Sequence, residues 1–172
     1  MGITCPIVSG SGGGNGIADY NDTSTSSNAI TLVKDTWTTV PNDGAGAFTN
    51  LNYLPKGVTQ LVDTNTGAFD FSELSLGDNC FIRNDISVNP NTNNALLELR
   101  YKLGDGAGEY TLESIIGRLD SGSGKDYRYS LVPDMIYMGD SNTKDNPIVL
   151  QIKLSTDGHF TNAGSAIGVV AR

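Results

Sequence analysis

Residues 79–88 read Asn79-Cys80-Phe81-Ile82-Arg83-Asn84-Asp85-Ile86-Ser87-Val88, and their alternation decides the fold class. Successive side chains of an extended strand point to opposite faces, so Cys80, Ile82, Ile86 and Val88 share one side while Arg83, Asp85 and Ser87 share the other. A period of two with one wet face marks a half-buried strand. The pattern recurs in residues 97–103, where Leu97, Leu99, Tyr101 and Leu103 oppose Glu98, Arg100 and Lys102. It recurs again in residues 148–154, where Ile148, Leu150, Ile152 and Leu154 oppose Val149, Gln151 and Lys153.

Shorter candidates at residues 30–33, 37–40, 58–62, 110–119, 127–137 and 166–171 bring the expected total to about nine strands. No longer stretch carries a helical period; residues 71–77 fit a single helical turn used as a connector, with Ser72 as its cap and Gly77 as its stop. Asp43-Gly44, Gly104-Asp105-Gly106 and Asp157-Gly158 offer the positive φ that tight turns need, and residues 89–94 form a longer polar turn. Strands with one apolar face must cover it with a second sheet, and frequent turns between short strands point to a sandwich. A chain of 172 residues has room for one such core. The expectation is an all-β fold: a single jelly-roll or two-sheet β-sandwich over residues 29–172, with an extended N-terminal arm over residues 1–28.

The arm is read from composition. Residues 10–16 are GSGGGNG, a run that cannot build a core and is costly to order, and residues 24–28 are polar. Ahead of them Ile3, Pro6, Ile7 and Val8 make a short apolar tip that a solvating tail would not need, which suggests a flexible anchoring arm. The plain alternative is an unstructured start.

Charge and composition narrow the partners. Charged residues make up 17% of the chain, below the roughly 25% of an average soluble protein, and 21 glycines with many Thr, Ser and Asn take their place. A formal net charge of -8 without a Lys/Arg cluster argues against nucleic acid. Residues 131–138 are the longest apolar run and are broken by Pro133 and Asp134, so no membrane span is expected; the start lacks the pattern of a secretion signal, so assembly inside a cell is. Cys5 and Cys80 follow no metal or redox spacing and read as free thiols.

Catalytic constellations are scarce. The one histidine, His159, follows the Asp157-Gly158 turn and reads as a solvent-facing loop residue, and no G-x-S-x-G elbow occurs. The glycine run has no following Lys-Ser or Lys-Thr and no flanking βαβ unit, which excludes a phosphate loop. Glu98, Glu109 and Glu113 read as solvated strand-face carboxylates rather than the paired acids of a glycoside hydrolase, and Asp140, Asn142 and Asp145 as a turn rather than a calcium loop. No catalytic residue, metal or cofactor is expected, and the chain reads as a non-enzyme. Tyr127 and Tyr129 share a strand face, with Tyr137 further along; they are candidate interface residues, or they close the ends of the core.

Several short blocks carry a resemblance. Leu54-Pro55-Lys56-Gly57 is followed by Gly67-Ala68-Phe69-Asp70-Phe71-Ser72, then by Leu76-Gly77-Asp78 leading into Ile82-Arg83. Ile136-Tyr137-Met138-Gly139-Asp140 and Asn146-Pro147 come later. Their order over residues 51–170 resembles small jelly-roll proteins of tailed-phage virions, whose fold is similar to the tumour-necrosis-factor and complement globular-head superfamily. One departure stands out: residues 164–172 read GSAIGVVAR, without the aromatic residues such heads carry in their final strand. The resemblance implies a homotrimer on the virion capsid surface, partnered by the major capsid protein. A capsid decoration or cement protein is the first expectation, and a receptor- or glycan-binding head of a fibre the second.

Overall fold

The alternation of residues 79–88 runs further than the sequence suggested, into a strand of twelve residues that anchors the larger of two sheets. The computed structural model describes residues 14–120 and 124–172. Its strands are β1 Gly16–Asn21, β2 Ile30–Leu32, β3 Thr38–Thr39, β4 Asn50–Tyr53, β5 Val62–Asp63, β6 Ala68–Phe69 and β7 Asn79–Pro90. They continue with β8 Ala95–Leu103, β9 Tyr110–Leu119, β10 Tyr127–Ser130, β11 Asp134–Tyr137, β12 Val149–Leu154 and β13 Gly158–Val170. One short helix, α1 Ser141–Asp145, and a 3-10 turn at Gly106–Gly108 complete the described elements.

The larger sheet runs β10-β7-β13-β1-β4, with β11 continuing the line of β10 along β7 and β2 pairing with β13 beyond β1. The smaller runs β3-β12-β8-β9, and the β5–β6 hairpin joins it through a bridge from Phe69 to Ile148. The pairs nest: β1 with β13, β3 with β12, β7 with β10 and β11, β8 with β9, all antiparallel. That nesting is a folded ribbon rolled across two sheets, the jelly roll expected from the sequence. Apolar side chains of both inner faces meet between the layers, Ile82, Val88, Phe160 and Ile167 from one and Leu97, Leu103, Ile152 and Leu154 from the other, all fully buried.

The expected arm over residues 1–28 needs correction in its second half. Residues 16–21 pair along six positions of β13, burying Ala18 and Tyr20. The Tyr20 hydroxyl also accepts a hydrogen bond from the Leu61 amide at 2.7 Å. Alternating Ala18 and Tyr20 offer β13 a ladder partner and an inward face, which outweighs the glycines before them. The tip residues Ile3, Pro6, Ile7 and Val8, and Cys5, lie outside the described residues.

Other elements shift for local reasons. The strand expected over residues 127–137 splits at Pro133, which has no N–H for a ladder. The helical turn expected at residues 71–77 is a pair of non-helical turns. The helix forms instead at Ser141–Asp145, where the Asp140 carboxylate accepts from the Thr143 amide at 2.8 Å as an N-cap. Asp157-Gly158 is not a positive-φ turn, since Gly158 already pairs with Leu32 and Pro90, and His159 therefore sits in a strand rather than a loop. Gly44, Gly104 and Gly106 do adopt positive φ.

Candidate binding surfaces of the larger sheet

The larger sheet carries one face into the core and turns the other outward. Register places Tyr53 beside Ile17, Ile17 beside Gly168, Gly168 beside Phe81, and Phe81 beside Met135. This single row crosses five strands, and its side chains remain open: Tyr53 is 65% exposed, Ile17 49%, Phe81 39% and Met135 56%. Val170 and Tyr137 flank Asn79 two residues along, both exposed. Gly168 leaves a gap in the row, with no atom within 4 Å of where a Cβ would stand. Isolated apolar side chains on a surface are ordinary, whereas apolar side chains gathered along one row of neighbouring strands make the row a candidate contact surface.

Next along the sheet lies a charged band. Asp19 and Arg83 flank Ala166, and the Arg83 guanidinium donates to Asp85 Oδ2 at 3.0 Å. Asp85 Oδ1 is buried and meets no donor.

A second apolar surface lies at the sandwich edge, where β9 of the smaller sheet faces β10 and β11 of the larger across a cavity of about 370 Å³. Leu112, Ile115, Leu131 and Val132 line it, with Tyr101 and Asp134 beside them. A chain of hydrogen bonds reaches this cavity from the core. Ser165 Oγ donates to Asn84 Oδ1 at 2.7 Å, Asn84 Nδ2 donates to the Tyr101 hydroxyl at 2.6 Å, and that hydroxyl bonds the Asp134 carboxylate. Burial lifts the Asp134 carboxyl above its ordinary value, and the Tyr101 bond offsets part of that rise. Burial, and then the Asp134 charge, push the Tyr101 phenol far up.

Outside the smaller sheet, the carboxylates weighed as paired acids each meet a cation. Glu98 pairs with Lys153 at 3.0 Å, Glu109 with Lys102 at 3.0 Å, and Glu113 with Arg100 at 3.5 Å. Trp37 lies under the same cations, with Arg100 Cζ 4.3 Å and Lys153 Nζ 4.4 Å from its ring centre. In the oxygen-rich loop Asp140 caps α1, Asn142 Oδ1 accepts from the Asp105 backbone amide at 3.2 Å and from Asn146 Nδ2 at 2.9 Å, and Asp145 pairs with Lys144. Among the described residues no group of three or more His, Cys, Asp or Glu side chains is placed to hold a metal.

The tyrosines of the sequence reading part company. Tyr127 and Tyr129 are half-buried and pack against the core, so much of their surface is already covered, whereas Tyr137 is exposed beside the apolar row. Ile17, Tyr53, Phe81, Met135 and Gly168 were not singled out from sequence. Phe81 carried a legible signal, an aromatic residue sharing the wet face with Arg83 and Asp85.

The nested strand pairs and the open outer face define a jelly-roll sandwich with an unpartnered apolar band. No protein-family model and no curated protein matches the sequence. Solved structures give distant likenesses. Eiger TNF from S. frugiperda matches at 13% identity and a TM-score of 0.46, over 92% of this chain and 93% of that one. The structure of infectious bursal disease virus Gt strain matches at 12% identity and 0.41, and the T13 particle of the same virus at 11% and 0.38, each over 99% of this chain. This chain spans only 37% and 36% of those two viral chains. The assignment to a jelly roll rests on the strand pairing itself.

Proposed function

We propose that the chain is a structural protein of a phage virion, a capsid decoration or cement subunit that works as a homotrimer and performs no catalysis. The segment before β1, with Ile3, Pro6, Ile7 and Val8 as its tip, grips the major capsid protein, and the jelly roll covers the capsid surface. The observation that carries the reading is the exposed row Tyr53-Ile17-Gly168-Phe81-Met135. Burying apolar surface stabilises by about 25 cal/mol per Å², and a second copy is the occupant that the chain itself supplies. The edge cavity with exposed Ile115 and Val132 is a second apolar surface unlike the first. Two unlike patches on one chain suit head-to-tail contacts, which close into a ring. Three copies together also give avidity to a short anchoring tip. The sequence blocks that resemble virion jelly rolls support the setting.

Native mass measurement tests the assembly. Wild-type protein is expected as a trimer and Gly168→Trp as a folded monomer, because a Cβ at 168 has open space and the ring beyond it stands on the outer face, between Ile17 and Phe81, where it blocks the neighbour. A monomeric wild type sinks the reading. Deleting residues 1–13 is expected to leave the trimer intact and abolish capsid incorporation. The runner-up, a receptor- or glycan-binding head of a fibre, draws its support from a groove of mixed polar and apolar lining on the same sheet.

A further inference from the structure

Six residues beyond Phe81 along β7, about 20 Å at roughly 3.3 Å per residue, the outer face of the larger sheet becomes a groove of about 750 Å³ whose lining mixes polar and apolar surface. Register sets Arg128 beside Ser87 and Ser87 beside Thr161, with Ser130 beside Asp85 in the next row and His159 at the far end. The floor is made of small hydroxyls and the walls of larger polar groups. Two of those groups have bonding capacity to spare. Arg128 is exposed and takes part in none of the ion pairs among the described residues. Asp85 uses Oδ2 on Arg83 while its buried Oδ1 has no donor. The terminal torsion of an aspartate is soft, so the carboxylate can turn toward the groove, exchanging its Arg83 contact for a ligand donor.

A ligand that fits must accept from a guanidinium and donate to a carboxylate at closely spaced points. The groove holds Asp85 and Asp126 against Arg128 alone, with Asp126 accepting from Asn89 at 3.0 Å. That charge balance disfavours a polyanion, and the open apolar side chains are Ala29, Ala163 and part of Tyr129, with Ile86 and Phe160 buried, a surface that suits the apolar face of a sugar ring better than a bulky apolar peptide side chain. Saccharide hydroxyls both donate and accept, at the spacing of a ring. We infer that this groove is a binding site for a neutral saccharide, oriented by Arg128 and Asp85 over the Ser87 and Thr161 hydroxyls. The site stands on residues remote from the apolar row and does not depend on the assembly proposed above.

Amide chemical-shift titration of the full chain tests it, with maltotriose, chitotriose and galactobiose as probes and acetate and phosphate as anion controls. At least one saccharide is expected to shift signals confined to β7, β10 and β13, with Arg128→Ala weakening binding at least fivefold and Ser87→Phe, which fills the floor, abolishing it. Shifts produced equally by acetate or phosphate would mean a simple anion site and overturn the inference. So would silence from all three sugars, or binding that survives both substitutions.

Discussion

Asp134 closes a one-way chain of donors that starts at Ser165 and passes through Asn84 and Tyr101. Its carboxyl is raised above the ordinary value because it is partly removed from water, so the folded state holds that proton more tightly than the unfolded chain does. The stabilisation linked to this site is therefore full below the unfolded value of about 3.9 and is lost as pH rises through the folded one. Asp134→Asn keeps an acceptor for the Tyr101 hydroxyl and removes the ionisation. Thermal melts are expected to show the variant more stable than wild type near neutral pH and no more stable in acid; an equal gain at both would refute the linkage. Tyr101→Phe strips Asn84 of its acceptor in the core and is expected to cost about 1–3 kcal/mol in urea unfolding. None of this chain of bonds was legible in sequence, because Asn84, Tyr101 and Asp134 come from three strands whose proximity depends on the roll. Phe81 was legible in principle, as the aromatic member of a wet face, but the reading of that face passed over it.

At the scale of elements, two glycines of β13 make opposite demands. Gly164 sits where the β13 register against β7 shifts, with φ at +130°, and an added Cβ would stand 2.1 Å from the Tyr20 carbonyl oxygen. Gly168 has ordinary strand φ and open space above it. Gly164→Ala is expected to lower stability by about 1–3 kcal/mol from backbone strain alone, with the clash added. Gly168→Ala is expected to be neutral or to gain about 0.5–1 kcal/mol, read from denaturant midpoints. Equal effects would contradict the placement of the bulge. The long strands β7, β8 and β12 were legible because each alternates cleanly over six or more residues, whereas β9, exposed along most of its length, shows no such period and was placed only by its β-forming residues between turns. Strand β1 was hidden by the glycine run at its head, and the break at Pro133 was passed over because the residues on both sides read as strand. The short strands β4 and β6 have no alternation long enough to register and exist because the neighbouring ladder needs a partner.

For the whole molecule, Cys80 reports on whether the sandwich and its assembly open together. It lies on the inward face of β7 at 0% exposure, and burial, followed by the nearby Asp78 charge, pushes its thiol up to about 12. A thiol in that state is inert toward alkylating reagents until the two sheets separate. In a Cys5→Ser background, labelling at Cys80 is expected to be negligible in native buffer and to follow global unfolding, with the same denaturant slope as the equilibrium transition. If β7 is covered only by the smaller sheet of its own chain, the labelling rate is independent of protein concentration. If the apolar row on the opposite face of β7 is also covered by a second copy, dissociation precedes opening and labelling slows as concentration rises. Gly168→Trp removes the neighbour without touching the core, so its labelling is expected to be faster than that of the parent and insensitive to concentration. Rapid native labelling of the parent would mean that the sheets do not close over Cys80, whereas concentration-independent labelling would leave the sandwich intact and remove the copies from its outer face.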